Sequence, residues 1–288
     1  MIGAAGFGFT PVFVKTGFAY NYSLGQITLT QMFVSFVLLW GMSFMKGLYI
    51  QDLSKPDMIK IFATGTSVGL TSIFYYGAMQ YLSASLAIIL LFQFVWIGML
   101  YEWVFNKVKP TKINLIATVI TLTGVFLASN IMDGSVLDIP VWGLILGLLS
   151  GFSYAGFVFF SGQVAVQSHP VLRSSLMVTG SMILVSLVFF RDIPTVDVFD
   201  GRLWAIGAGV ALVGAVIPPL FFAGGAPLLS GRLANVLSSI ELPVAIISAM
   251  IILNESVNAL QYLGVLMIIL AIFVNESGEQ LMKVRNKL

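Results

Sequence analysis

A chain of 288 residues that is 58% hydrophobic and 9% charged, with a mean hydropathy of +1.00, is not a soluble domain, where about 25% of residues are charged, nor a disordered segment. A formal net charge of +2, with the basic residues scattered in short loops, argues against a nucleic-acid partner, and the lack of cysteine removes disulfides, thiolate metal sites and a cysteine nucleophile. The length is therefore read in membrane crossings of roughly 20 residues each.

Ten apolar segments follow in chain order, at about 2–19, 26–45, 58–79, 83–103, 112–129, 140–163, 171–190, 202–225, 232–253 and 258–275. The first contains Lys15 and lacks a basic run before it, so it is predicted to be a retained span rather than a cleaved leader. Turn signals separate the rest: Asn21-Tyr22-Ser23, Ser54-Lys55-Pro56-Asp57, Gln80 to Ser83, Lys107-Val108-Lys109-Pro110, Asp133-Gly134, Ser168-His169-Pro170, the polar run 191–202, Ser230-Gly231 and Asn254-Glu255-Ser256. With both termini in the cytoplasm, Lys46, Lys55, Lys60, Lys107, Lys109, Lys112, Arg173, Arg232, Lys283, Arg285 and Lys287 fall on the inner side. Arg191 and Arg202 fall outside, beside Asp192, Asp197 and Asp200. That bias satisfies the positive-inside rule and predicts a multi-pass inner-membrane protein.

The two halves resemble each other at a shift of about 147 residues. Ile113, Ala117, Leu122 and Phe126 match Leu260, Gly264, Ile269 and Phe273, and Leu86-Ala87 matches Leu233-Ala234. One further residue of shift sets Gln93 opposite Glu241. Five spans per half force opposite orientations in the membrane, which is the inverted-repeat plan of many secondary transporters. The expected fold is all-α, ten transmembrane helices as two inverted five-helix repeats, divided as 1–130 and 131–288 with a short basic tail.

The stretch from Leu233 to Val244, then Leu253-Asn254-Glu255, is similar to the ninth span of the drug/metabolite transporter superfamily in its paired EamA-domain form. Gly6 to Lys15 is similar to that family's first span. The resemblance covers essentially the whole chain. It implies a metabolite carrier, usually an exporter, with a central cavity lined by spans 1, 3, 4, 6, 8 and 9. It says almost nothing about the substrate.

Ionisable groups inside spans are the first places to look for chemistry, since each costs roughly 2.5–3.5 kcal/mol to insert. Glu241 lies mid-span, with Pro243 two residues on. The proline should free a carbonyl near Ser239, making a polar site at the midplane. Glu241 could carry a proton, hold a substrate amine, or be a structural carboxylate bonded to Asn235 or Ser238. Lys15 either reaches to the interface along its own stem or pairs with Glu241 or with a substrate carboxylate. Gln93 must face protein or water. Tyr75, Tyr76, Trp96, Tyr154 and Phe157 are candidate pocket walls, apolar with polar tips on Trp and Tyr, and Asn235 is a further candidate contact. Pro218-Pro219 is the strongest helix-breaking signal within an apolar run and, with Pro243, the candidate hinge. Glu102, between Tyr101 and Trp103, reads as an interfacial anchor, and Glu255 as a solvated residue closing span nine. His169, the one histidine, cannot form a histidine metal cluster and is expected to serve its loop.

Neither a phosphate loop nor a dinucleotide fingerprint is present. Gly151-Phe152-Ser153-Tyr154-Ala155-Gly156 lacks the spacing of a serine-nucleophile turn. The expectation is a carrier without cofactor or metal, a monomer or homodimer in lipid. It would move an amino acid or related metabolite outward by alternating access of the two inverted halves, with proton coupling through Glu241. The alternatives are efflux of a hydrophobic cation and, in a different class, an intramembrane enzyme acting on lipid.

Overall fold

The computed structural model describes residues 1–48, 50, 53–82, 84–128, 140–252 and 257–285. The boundary at 130/131, the Asp133-Gly134 turn, Ser83, the Leu253–Ser256 segment with Glu255, and Lys287 lie outside the described residues. Every regular element among the described residues is helical. The described residues form ten rods. Rod 1 is α1 (Ile2–Phe7) and α2 (Thr10–Ala19). Rods 2 and 3 are α3 (Leu24–Met45) and α4 (Lys55–Ala78). Rod 4 is α5 (Ala84–Leu91) and α6 (Phe94–Asn106), and rod 5 is α7 (Lys112–Ala128). Rods 6 and 7 are α8 (Val141–Ser161) and α9 (Pro170–Val188). Rod 8 is α10 (Gly201–Ala211) and α11 (Ile217–Gly225), joined by a π-helical segment at Leu212–Val216. Rod 9 is α12 (Gly231–Ser238) and α13 (Glu241–Ile252), and rod 10 is α14 (Ala259–Arg285).

The turn signals of the sequence become helix caps. Ser23 and Gln26 form a reciprocal capping box at α3. The side chains of Ser54, His169, Asp200 and Ser230 each accept a backbone N–H in the first turn of the next helix. His169 thus caps α9 through Nδ1. Side-chain caps answer N–H groups that a helix start leaves without partners.

Six of the described helical stretches are long and apolar enough to cross a membrane, and Lys112–Ala128 and Ala259–Asn275 are shorter apolar helices. Rods 1 and 3 complete the ten. The surface of the bundle is itself apolar, with Val119, Leu187, Leu266 and Phe273 more than half exposed, as a chain solvated by lipid requires.

Exchanging rod n for rod n+5 maps the packing onto itself. Rod 5 packs on rod 10 (α7 on α14), rod 2 on rod 7 (α3 on α9) and rod 4 on rod 9 (α6 on α12). The contact of α4 with α9 mirrors that of α10 with α3, and α4 on α8 mirrors α10 on α2 and α11 on α1. Small residues bring these backbones together, in the manner of membrane helices. Ser181 donates to the Gly65 carbonyl at 2.5 Å, and Gly124 faces Gly264. Helix α14 continues to Arg285, ten residues past the apolar segment, so the start of the basic tail is helical.

One basic residue belongs elsewhere than the sequence placed it. Arg173, assigned to an inner loop, is 0% exposed within α9. Its guanidinium donates to the carbonyls of Ala223 at 2.6 Å and Ser161 at 2.5 Å, near the C-terminal ends of α11 and α8. Helix C-termini carry orphan carbonyls and partial negative charge, so they accept a buried cation.

Candidate functional site

Among the described residues rods 1, 4, 8 and 9 are interrupted, and two of the interruptions meet. Rod 1 breaks at Gly8-Phe9 and rod 9 at Ser239-Ile240. A Cβ added to Gly8 would fall 2.6 Å from the Glu241 carbonyl oxygen and 2.9 Å from the Ala245 nitrogen, so glycine alone permits this approach. Ser248 also donates its hydroxyl to the Gly8 carbonyl at 3.2 Å. The other half repeats the arrangement. Rod 4 breaks at Phe92-Gln93, and Gly151 of α8 sits against the Leu90 and Leu91 carbonyls there.

Glu241 is the first residue of α13 and 5% exposed. Pro243 sits in the same first turn, where its missing N–H breaks no helical bond. The carbonyl expected to be free near Ser239 is not free, because Leu242 donates to Ser239 O at 3.3 Å. The groups left without a partner are the Ser239 hydroxyl and Glu241 Oε2. A carboxylate at the start of a half-helix is favoured by the helix dipole.

Glu241 opens onto a central cavity of about 30 Å³, lined also by Phe7, Thr10, Tyr75, Tyr76, Tyr154 and Phe157 and by Val68, Thr71, Ser72 and Leu91. That holds a water or two, since one water needs roughly 10–15 Å³ of such space. Thr71 and Ser153 share a hydrogen bond of 2.8 Å at its rim. The Tyr154 hydroxyl lies beside Glu241 and Ser238 without a well-formed bond to either. Glu241 is the one charged residue in the lining, and the remaining polar groups there are hydroxyls.

Five of the nine candidate contacts, Glu241, Tyr75, Tyr76, Tyr154 and Phe157, come together in this cavity. The other four lie outside its lining, each for a local reason. Gln93 is satisfied by its own turn, donating to Ile89 O at 3.0 Å and accepting from the Trp96 indole at 2.8 Å. Trp96 is 39% exposed on the flank of the bundle. Asn235 donates to Gly231 O at 2.6 Å and packs on Gly98 of α6. Lys15 is half-buried and five residues beyond Thr10, which turns it about 140° around the helix from the wall that Thr10 forms. Span 8 was expected to line the cavity and contributes nothing to that lining. Pro218 and Pro219 start α11 just after the π-helical segment Leu212–Val216, so the break in rod 8 lies one turn before them. Glu102 is 6% exposed, with its carboxylate against Gly231 at the start of α12.

The residues that sequence reading missed were partly visible. Val68, Thr71 and Ser72 stand one or two turns before the candidates Tyr75 and Tyr76 on span 3, where hydroxyls recur at helical spacing in an apolar helix. Phe7 and Thr10 carried no comparable signal.

On the side of the bundle that holds the N-terminus, a second cavity of about 310 Å³ is lined by apolar residues of rods 1, 8 and 9 together with Ser238. Phe222 borders it and meets Phe157 at 5.1 Å and Phe7 at 6.5 Å between ring centroids. An aromatic plug therefore stands between the vestibule and the central cavity. The opposite side is tied across the halves. Tyr22 donates to Asp200 at 2.8 Å, Ser23 to Asp192 at 3.3 Å and Gln26 to the Thr195 carbonyl at 2.9 Å. Arg202 lies over the Tyr20 ring at 4.3 Å. The hydrogen bond from Tyr22 holds the Asp200 carboxyl below its ordinary pKa, helped by the Leu203 and Arg202 backbone N–H groups. The same bond raises the Tyr22 hydroxyl.

Among the described residues no group of three or more His, Cys, Asp or Glu could hold a metal ion. The family model described as the EamA-like transporter family matches residues 1–130 and 141–276. A protein of Synechocystis sp. named as an uncharacterized transporter is 23% identical over 229 residues, 77% of this chain and 68% of its own length. A crystal structure of another protein is similar with a TM-score of 0.73 at 11% identity, over 94% of this chain and 95% of that one. At that identity the likeness establishes the fold alone.

Proposed function

This chain belongs to the EamA-like transporter family, a membrane transporter of small molecules and not an enzyme, and we propose that it is a secondary-active carrier of a small amine-bearing metabolite with Glu241 as the group that binds the amine. The observation that carries this reading is the lining of the central cavity, one buried carboxylate among aromatic rings and hydroxyls with no basic residue. A carboxylate in so apolar a wall is best satisfied by a cation, either a substrate ammonium or a proton. Phe7, Phe157 and the tyrosines offer ring faces to the same ammonium. Competition between proton and amine for Glu241 couples export of one to entry of the other.

Amino acids and hydrophobic cations both carry the required amine. The hydroxyls of Thr10, Ser72, Tyr75 and Tyr76 supply donors for a carboxylate, so an amino acid remains within this class. In the proposed cycle the two inverted repeats, 1–130 and 131–288, exchange conformations. The aromatic plug parts toward the N-terminal side, and the Tyr22–Asp200 tie parts on the other. The bias of basic residues supports a cytoplasmic N-terminus in the inner membrane, which makes the vestibule the cytoplasmic entrance and the net direction outward.

The test is flux in proteoliposomes holding the purified chain, with a panel of radiolabelled small amines and amino acids under an imposed pH gradient. Wild type moves at least one amine and dissipates the gradient as it does so. Glu241→Gln, still folded, loses both. Equal flux and equal proton movement in the two proteins would remove Glu241 from the mechanism.

A further inference from the structure

A second cluster of polar atoms lies beside the cavity, and the carrier reading does not use it. Gln31 of α3 is 0% exposed, yet neither its amide nitrogen nor its amide oxygen has a hydrogen-bond partner. The Thr10 hydroxyl, 4% exposed, has none either. Both residues converge on Gly214. A methyl group there would lie 3.1 Å from Gln31 Nε2 and 3.3 Å from Thr10 Oγ1. The Tyr76 hydroxyl stands beside the same amide, without a well-formed bond to it, and beside Ser72.

The helix ladder is interrupted at the same place. Gly214 is the central residue of the π-helical segment Leu212–Val216. Its carbonyl would take a donor four residues on in an α-helix or five residues on in a π-helix. Those positions are Pro218 and Pro219, and neither has an N–H. The Ile217 N–H is directed to Leu212 O instead. One side-chain amide and one hydroxyl thus lack protein partners, beside a backbone carbonyl to which the helix offers no N–H four or five residues on. Buried polar groups are rarely left so, and each one calls for a specific occupant. Thr10 and Tyr76 also line the Glu241 cavity, so the region adjoins it.

We propose that Gln31, Thr10 and the interrupted backbone at Gly214 form a polar subsite that receives an uncharged hydrogen-bonding group of the cargo, a hydroxyl or a carboxamide, while its amine sits at Glu241. This rests on the amine reading of Glu241 and extends it. The donor and acceptor of Gln31 are both open, so the occupant must both accept and donate. A bare cation answers the oxygens alone and leaves the amide N–H unmet. The cargo is therefore bifunctional, an amine at one end and a neutral polar group a few bonds away.

The test uses the purified full-length chain and three probes: ethylamine, ethanolamine and glycinamide, titrated against thermal unfolding, since a ligand of the folded form raises the melting temperature. Wild type binds ethanolamine and glycinamide about three- to tenfold more tightly than ethylamine, the gain of one or two neutral hydrogen bonds. Gln31→Leu removes that preference and leaves ethylamine binding in place, whereas Glu241→Gln weakens all three. Without ligand, Gln31→Leu melts at the same or a higher temperature than wild type, because it removes buried groups that have no partner. Equal binding of the three amines by wild type, with ethylamine still dependent on Glu241, overturns the subsite and spares the amine reading. Failure of every amine to bind overturns both. A lower melting temperature for ligand-free Gln31→Leu overturns the subsite by giving the amide a structural role. A sodium-induced shift in wild type that Gln31→Leu abolishes overturns it in favour of a cation.

Discussion

Gly8 and Glu241 touch where two interrupted helices cross, and the missing side chain of the one sets the position of the other. The first turn of α13 rests directly on the break in rod 1, with no atom between the Gly8 Cα and the Glu241 carbonyl. Gly8→Ala therefore forces two backbones apart. The expected cost is about 1–3 kcal/mol, as for overpacking elsewhere, and the displaced Glu241 loses its fit to the cavity. Thermal unfolding in detergent should show the destabilisation, and liposome flux a larger loss than stability explains. A wild-type melting temperature in Gly8→Ala would mean that the crossing is loose.

Tyr154 stands beside Glu241 with its hydroxyl unbonded. In the proposed cycle that hydroxyl bonds to the carboxylate when an amine or proton arrives. Tyr154→Phe keeps the ring contacts with Phe7 at 5.2 Å and Phe94 at 4.7 Å, so the protein should fold normally. Transport should fall by about three- to tenfold, the worth of one hydrogen bond, with substrate affinity reduced in proportion. Unaltered kinetics would assign Tyr154 to packing alone.

The tie between Tyr22 and Asp200 holds the side of the bundle opposite the vestibule. Asp200 has its pKa lowered and Tyr22 has its raised, so the bond persists at every pH between the two ordinary values. The sign follows from the carboxylate. Its contribution is present above the unfolded pKa of about 4 and is lost only as the pH falls through the still lower folded value. Any pH dependence of transport between pH 5 and 9 must then come from elsewhere, and Asp200→Asn should leave the shape of the pH profile unchanged. Its effect should instead be conformational. Cysteines introduced near residue 22 should label faster in Tyr22→Phe and Asp200→Asn than in an otherwise wild-type background.

Arg173 clamps the ends of two helices with its forked guanidinium. Lysine keeps the charge but offers one nitrogen for two carbonyls, so Arg173→Lys should be destabilised by about 1.5–3 kcal/mol. Methionine removes the buried charge together with its need for partners, and should be tolerated better than lysine. Melting temperatures of the two variants, ranked in the reverse order, would show that charge rather than geometry matters at this position.

Much was readable along the chain. Ten apolar runs, the alternation of basic residues and the punctuation at Ser23, Ser54, His169, Asp200 and Ser230 define the rods and their caps, because bilayer thickness and unpartnered N–H groups act locally. Glu241 stood out for the same kind of reason. A carboxylate in an apolar span must have something to do, and Pro243 beside it marked the interrupted helix. What the chain alone left undecided is which face of each rod looks inward. A helix that is apolar all round gives no period from which to read that face. Gln93 and Asn235 looked like cavity residues by type and depth, yet each is turned into its own helix or a neighbouring one. Gln31 was not among the candidate contacts and lies beside the unpartnered Thr10 hydroxyl. Only the packing of α3, rod 1 and rod 8 brings Gln31, Thr10 and Gly214 together from distant parts of the sequence. Such encounters depend on how rods rotate and cross, and in a protein solvated by lipid that rotation is settled by close contacts between small residues rather than by burial of an apolar stripe.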